Sequence, residues 1–440
     1  MQDIQTPRTG FIEHVEQPVN FYLDDYTVTL MGPDFSFVQL ENTPFIYGRL
    51  HANNHQIAFY KGNVPVSFNG KIKIHLGEYF VAASDAEHTN WETFTYMEFR
   101  NGTLFKVFPC RALDFGSILS KDIQVQIRSD KQTYSFPIGD QHCTLEIMSD
   151  ITGKYSMDKG NVLSNNTIIL SLHFDAPQPI SSASRYIQKM KDLLSLMTFR
   201  KNVGFDEIYL GHDKPPLSRL QLFLKEDLIP YTDKPFHLSL SFWNLDTIIA
   251  SLASLIFNSR NKKPAYVISF LPASDKEAGR ITHDQIRSIC SALECELSFF
   301  KDFQPQENRE LAELTAAVKK LIKDHRKGKH PLPPKTYDLM LSSISHWTMS
   351  ASDKICRLFH FYEKEMRLMT QRMPQITDED IAEFVKYRNN ITHGYYMVSD
   401  QQIVNTAYVL QGLVYCSLLT RAGLSRDKLM TLCQRHQILI

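Results

Sequence analysis

A chain of 440 residues has room for two or three domains and ample core. Its 43% hydrophobic and 22% charged content is ordinary for a globular protein and excludes a disordered or collagen-like chain. Lys plus Arg and Asp plus Glu both total 48, so net charge favours no class of partner.

Residues 1–175 are predicted to be strand-rich. Thr27–Met31, Phe35–Glu41, Phe45–His51, Gln56–Tyr60 and Lys71–Val81 carry β-branched and aromatic residues, several in alternation. Asn69-Gly70, between Val64–Phe68 and Lys71–Leu76, predicts a tight hairpin. Asn101-Gly102, between Thr95–Arg100 and Thr103–Phe108, predicts a second one. Further strands are predicted at Ile123–Arg128, Thr133–Ile138, Cys143–Met148 and Thr167–Phe174. Many short strands with regular turns point to a sandwich or barrel, here read as a β-sandwich-like domain. Its loops suit ligand or partner recognition, so a sensor or interaction role is expected. His51 and His55 are four apart, but Asn53-Asn54 between them makes solvated loop histidines the better reading than a metal pair.

Ala176-Pro177-Gln178-Pro179 marks a boundary. Residues 176–300 then mix helix and strand, and their continuity with the first domain stays open. A helix is predicted over Ser181–Phe199, a strand over Leu217–Leu224, and helices from Asp246 to Phe257 and over Ile281–Phe300. Asp206, Glu207, Asp213, Glu226 and Asp227 read as solvated surface, because no spacing among them marks a metal site.

Residues 301–440 read as an all-helical bundle, giving an α+β multidomain chain. Glu307–Arg326 carries Leu311, Leu314, Val318, Leu321 and Ile322 at helical spacing, and Pro331-Leu332-Pro333-Pro334 stops it. Its basic end offers Lys323, Arg326 and Lys327 for phosphate contact; the competing reading is a solvated helix end that complements the dipole. Helices are also predicted over Tyr337–Trp347, Ser352–Arg372, Thr377 to about His393, Gln401 to about Arg421, and Asp427–His436. Ser399 and Gln402 look like a capping box, with Ile403, Ala407, Leu410, Val414 and Leu418 as the buried stripe that follows. No spacing marks His346, His360 or His436 as part of a site. Residues 301–440 hold 20 Lys and Arg against 15 Asp and Glu, whereas the first 300 hold 28 against 33. This polarity permits RNA binding by the C-terminal part without demanding it.

The seven cysteines are odd in number and contain no Cys-x-x-Cys, which predicts a reduced, cytoplasmic protein without a zinc site. Met1–Pro7 has no basic stretch leading into an apolar run, which predicts no secretory leader. The longest apolar run, near Ile248–Phe257, is too short to span a bilayer, and no membrane partner is expected.

Chemistry concentrates at Arg388-Asn389-Asn390-Ile391-Thr392-His393. Thr377 as N-cap, with Asp378, Glu379 and Asp380 in the first turn, starts a helix that Gly394 ends. Ile381, Phe384, Val385 and Ile391 form its apolar stripe, and Arg388 falls on that stripe, so it needs a partner or a function. Arginine can clamp a phosphate through two parallel hydrogen bonds, and histidine can move protons near neutral pH. With RNA as substrate the 2′-hydroxyl supplies the nucleophile, so neither a metal nor another cofactor is required. On a regular helix His393 lies about 140° round from Arg388, whereas Asn389 shares a face with His393 and can orient it. The bland alternative pairs Arg388 with a nearby acid such as Glu383 and leaves His393 to complement the helix end. Tyr395, just past the motif, is a candidate for stacking on bases, with core packing as its competing use.

Arg388, Asn389 and His393, late in a helical segment, resemble the signature of the HEPN superfamily. The wider chain is similar to ApeA-like anti-phage defence proteins, in its architecture and in stretches such as Phe45-Ile46-Tyr47-Gly48-Arg49-Leu50. The resemblance implies a HEPN nuclease domain over 301–440 and a metal-independent endoribonuclease that cleaves host RNA, such as tRNA, in abortive infection. It implies Arg388 on the scissile phosphate, His393 as proton carrier and Asn389 in support. It also implies a homodimer or higher homo-oligomer with a composite cleft, and a phage-encoded trigger acting through the N-terminal region. The competing class is a non-catalytic HEPN-like scaffold that dimerises or binds nucleotide, and behind it a carbohydrate-binding β domain on a helical assembly module.

Overall fold

The structure is a computed structural model. It describes residues 8–13, 19–32, 45–60, 66–68, 71–82, 89–108, 113–115, 125–127, 131–156, 160–213, 219–225, 248–258, 266–274, 277–299, 309–328, 330–345, 350–369, 375–395 and 400–435. The strand expected at Phe35–Glu41, the Asn69-Gly70 turn and the helix start at Asp246 lie outside the described residues, as do Ser399, His346 and His436. The chain divides into two compact units, residues 1–235 with 240–259, and residues 236–239 with 260–440.

The first unit holds β1 (Arg8–Ile12), β2 (Asn20–Asp24), β3 (Thr27–Met31), β4 (Phe45–Leu50), β5 (Gln56–Tyr60), β6 (Val66–Phe68), β7 (Lys71–His75) and β8 (Glu78–Ala82). It continues with β9 (Thr93–Arg100), β10 (Leu113–Phe115), β11 (Val125–Ile127), β12 (Lys131–Ile138), β13 (Gln141–Ser156), β14 (Gly160–Pro179), β15 (Glu207–Gly211) and β16 (Arg219–Leu224). Fourteen of these form one antiparallel sheet in the order β12-β13-β14-β9-β15-β16-β8-β5-β4-β1-β2-β3-β7-β6. The expected β-sandwich-like arrangement is therefore corrected to a single continuous sheet, with β10 and β11 as a separate pair.

That sheet rolls. β7 lies beyond β3 and β8 lies beside β5, yet the two are joined through Gly77, so the chain itself bridges the ends of this stretch. Inward residues Phe21, Leu30, Ile46, Phe59, Ile74 and Tyr79 consequently share one core with Phe223 of β16. Alternation supplies them: β2, β3 and β7 bury every second residue, as a strand with one wet face must. Gly10 and Gly48 permit the tight curvature. A Cβ on Gly10 would stand 2.5 Å from the Phe21 ring and 1.9 Å from the Arg49 carbonyl oxygen.

The second expected hairpin fails. After β9, Asn101 and Gly102 do take left-handed conformations, but α1 (Leu104–Val107) follows instead of a strand. β9 pairs with β14 and β15, and the Asn101 side chain accepts from the Ile168 amide (3.1 Å). Tertiary pairing has overridden the local turn signal. β15 and β16 lie between β9 and β8, so part of the expected middle segment sits at the heart of the sheet. α2 (Ala183–Thr198) and α3 (Ile249–Phe257) pack together, with Phe257 against Phe136 of β12 and Tyr186 of α2.

The second unit is helical. It contains α4 (Tyr266–Ser269), α5 (His283–Leu297), α6 (Arg309–Arg326), α7 (Pro334–Ser345), α8 (Ala351–Phe361), α9 (Glu363–Met369), α10 (Asp378–Thr392), α11 (Gln401–Arg421) and α12 (Arg426–Arg435). The single helix expected over Ser352–Arg372 is two, broken at Tyr362. Around α11 pack α5, α8, α9, α10 and α12. Instead of the expected single stripe, α11 is buried on every side from Asn405 to Leu419. It is the one described helix long and apolar enough to cross a membrane, and 89% of its apolar window is buried, as in a core helix. Its N-cap is Asp400, which accepts from the Ile403 amide (2.8 Å).

Candidate functional site

The motif sits at the C-terminal end of α10. Thr377 caps the helix in a reciprocal box with Asp380, and three acids occupy the first turn. Asp380 is raised by slight burial but, more strongly, lowered by hydrogen bonds from the Thr377 amide and hydroxyl and from Gln402; its carboxyl lies below the usual range. Ile381, Phe384, Tyr387 and Ile391 form the buried side. His393 is the C-cap, its amide bonded to the carbonyls of Asn389 (3.0 Å) and Asn390 (3.1 Å), and Gly394 follows at φ +83°.

Helix α5 positions the motif. His283, Arg287, Cys290 and Glu294 recur every three or four residues and share one face. His283 Nε2 meets the Tyr387 hydroxyl at 2.9 Å, and Arg287 donates to the Ile391 carbonyl (2.6 Å). Arg388 pairs with Glu294 and donates to Asn389 Oδ1 (3.1 Å), with its side chain 22% exposed. Burial pushes the Cys290 thiol up to about 12, against the opposing pull of Arg388 beside it.

The acid that holds Arg388 is therefore Glu294, not Glu383, which pairs instead with Lys386 (3.2 Å). The structure joins Arg388 to Asn389 but does not join Asn389 to the His393 ring. That ring is exposed and makes no hydrogen bond or ion pair among the described residues. Sequence reasoning missed Glu294. The polar stripe on α5 was legible, but nothing local says which helix it meets.

The expected phosphate-tracking residues lie elsewhere in this unit. Lys323 and Arg326 lie in the last turn of α6 and Lys327 follows it; α6 packs on α7, whereas α10 packs on α5, α8 and α11. Arg326 pairs with Asp338 (3.6 Å) and lies over the Tyr337 ring. Tyr395 is exposed, so core packing is not its use. A cavity of about 410 Å³ opens between α8 and the start of α10, lined by Ser352, Asp353, Cys356, Arg357, His360, Asp378 and Ala382. There His360 Nε2 reaches Asp378 at 2.9 Å, while burial and Asp378 push the Cys356 thiol up to about 12 and make it a poor nucleophile. Fifteen residues of helix, roughly 20 Å, separate Asp378 from His393, so this cavity is not the motif's cleft.

In the first unit a charged network covers β9, β15 and β16. Glu98 joins Arg100 and Arg219 (2.7 Å to the latter), and both arginines lie over the Tyr209 ring. His173 bridges Glu146 (3.4 Å) and Asp213 (3.2 Å) beside it. Among the described residues no group of three or more His, Cys, Asp or Glu is placed to hold a metal ion. No family model matches the chain, and neither a curated protein nor a solved structure is similar to it.

Proposed function

We propose that the chain is a metal-independent endoribonuclease of the HEPN type. In this reading it acts in anti-phage defence by cutting host RNA, tRNA among the candidates, when a phage-encoded trigger engages the N-terminal region. What supports the reading is the placement of Arg388, Asn389 and an exposed His393 together at one helix end in a helical unit. The defence setting and the homodimer rest on the family resemblance, and the cytoplasmic location on the odd cysteine count without a Cys-x-x-Cys.

The chemistry follows from the residue types. The RNA 2′-oxygen attacks the adjacent phosphorus as His393 takes its proton, and the 5′-oxygen leaves with a proton returned to it. The products are a 2′,3′-cyclic phosphate and a 5′-hydroxyl. Arg388 stabilises the charge that grows on the phosphate oxygens. A carboxylate and a phosphate compete for one guanidinium fork, so Glu294 must yield before Arg388 engages RNA. The same ion pair favours a second reading, in which Arg388 is structural and the bundle is a dimerising or nucleotide-binding scaffold.

One assay separates the two. Wild type, Arg388→Ala, His393→Ala and Glu294→Gln are incubated in EDTA with total cellular RNA, with and without infected-cell extract. The nuclease reading expects cleavage by wild type, loss of at least about 100-fold in both alanine variants, and a lower KM for Glu294→Gln. Cleavage that needs a divalent metal, or that survives both alanine changes, overturns it. Absence of cleavage by wild type with the extract present establishes the scaffold.

A further inference from the structure

Among the described residues, Phe11 and Tyr22 are the large hydrophobic side chains that the first unit exposes, each at 37%. Both stand on the outer face of the rolled sheet, on the paired strands β1 and β2. Phe11 lies opposite Asn20 and Tyr22 opposite Thr9, so the two are diagonal neighbours with backbones about 7–8 Å apart. The register carries both positions across the sheet as two rows. On one side Arg49 of β4 lies opposite Phe11, and the His51 amide bonds to the Thr9 carbonyl (2.9 Å). The His51 ring comes to 5.9 Å from the Phe11 ring. On the other side the rows pass through Met31 and Thr29 of β3 and end at Lys71 and Lys73 of β7.

The charges on this face decide what covers it. The two rows hold no carboxylate. Arg49 is paired with Glu13, whereas Lys71 and Lys73 are exposed and hold no ion pair or hydrogen bond among the described residues. Asp24, level with Thr27 and His75, closes the basic stretch in the row beyond. An anionic lipid surface would gain its hold from a contiguous apolar patch, and here Asn20 and Thr9 stand beside the two rings. A sugar would need carboxylates and amides aimed at its hydroxyls, and the rows offer Asn20 alone. Aromatic rings with lysines to one side suit a single-stranded nucleic acid, whose bases stack on rings while charge holds the backbone. A duplex keeps its bases inside its own stack and cannot use the rings. We infer that this outer face binds a single-stranded nucleic acid, with one base on Phe11 beside His51 and another on Tyr22. The spacing of the rings exceeds the rise of about 3.4 Å between stacked bases, so each ring takes its own base. Lys73 lies two strands from Tyr22, and Lys71 two strands from the Asn20 position, about 10 Å in each case. A lysine side chain spans most of that gap towards the phosphates.

This assignment is independent of the nuclease reading, because its test reads binding of a strand that has no free 2′-hydroxyl to attack. The probe is a fluorescent single strand of about 12 nucleotides with 2′-O-methyl riboses, titrated with the full chain and followed by anisotropy. Wild type should bind it with a dissociation constant below about 100 µM at about 0.15 M salt. Phe11→Leu with Tyr22→Leu keeps apolar bulk and removes the rings. It should weaken binding at least about tenfold, with the salt dependence and the thermal melt unchanged. Tyr22→Phe keeps the ring and should keep the affinity. Lys71→Gln with Lys73→Gln should instead make the slope of log affinity against log salt shallower by about 1.4. A wild-type chain that leaves the probe free at about 100 µM overturns the assignment. So does binding indifferent to both the leucine and the glutamine pairs, which would place the strand elsewhere on the chain. Anionic vesicles that bind wild type more tightly than the probe does, and lose it in the leucine pair, would assign the face to lipid instead.

Discussion

Lys191 occupies a position in α2 where charge is costly. Most of that helix is buried among Tyr186, Ile187, Met190, Leu194 and their neighbours, and burial pushes the Lys191 ammonium down to about 8. The unfolded chain keeps the ordinary lysine value near 10.5. Between these values the unfolded state holds a proton that the folded state has released, so stability climbs as pH rises from about 8 to 10.5. Below about 8 the full penalty is present, on the order of 3 kcal/mol. Lys191→Met should therefore raise the urea unfolding free energy at pH 7 by about that amount, with the gain shrinking towards pH 10.5. A gain that is constant across that window would show that burial of the charge is not its cause. At this scale the sequence is informative about types and poor about partners. Arg388 was legible as a charged group on an apolar stripe, because that follows from spacing within one helix. Its partner Glu294 was not, because only the packing of α5 on α10 brings them together.

Helix α5 lies against both the motif helix and the core helix, and two of its glutamates divide the work. Glu294 and Glu296 are two residues apart, about 200° round the axis, so they face different neighbours. Glu294 meets Arg388 at half-exposed surface, where the pair is worth little beyond geometry. Glu296 is fully buried, and there Ser417 donates at 2.8 Å and Arg421 at 2.6 Å. Arg421→Met should cost about 3–5 kcal/mol, because it strands a buried carboxylate. The double change Glu296→Leu with Arg421→Met should recover most of that loss, read as a double-mutant cycle from urea unfolding. Simple additivity of the two changes would sink the argument. Helix α11 was legible as a long apolar helix from Gln401 to Arg421, but its burial on every side was not. Its sequence looks one-sided only if Asn405, Thr406, Gln411 and Ser417 are assumed to face water. In the fold they are buried, and Gln411 donates to the Phe270 carbonyl.

The whole molecule depends on where β15 and β16 go. Alternation is a local signal, so individual strands such as β3 and β5 were readable to the residue from the sequence. Strand order is not local. β9 and β8 adjoin in the sheet only through β15 and β16, which arrive in the chain after the long β13–β14 hairpin and α2. A boundary drawn at residue 175 followed the Pro-rich punctuation, and that punctuation marks the end of β14 and not the end of a compact unit. The sheet offers a direct test. A fragment of residues 1–175 lacks both central strands, leaves β8 and β9 with a raw edge each, and strips α2 and α3 from the core. It should aggregate, or unfold without a cooperative transition. A fragment of residues 1–259 retains all fourteen strands and both helices, and should run as a single species with a sharp urea transition and strong β-sheet circular dichroism. Cooperative unfolding of the shorter fragment would mean that the rolled part of the sheet, β1 to β8, folds without its two central neighbours. Failure of the longer one would mean that residues beyond 259 complete the first unit.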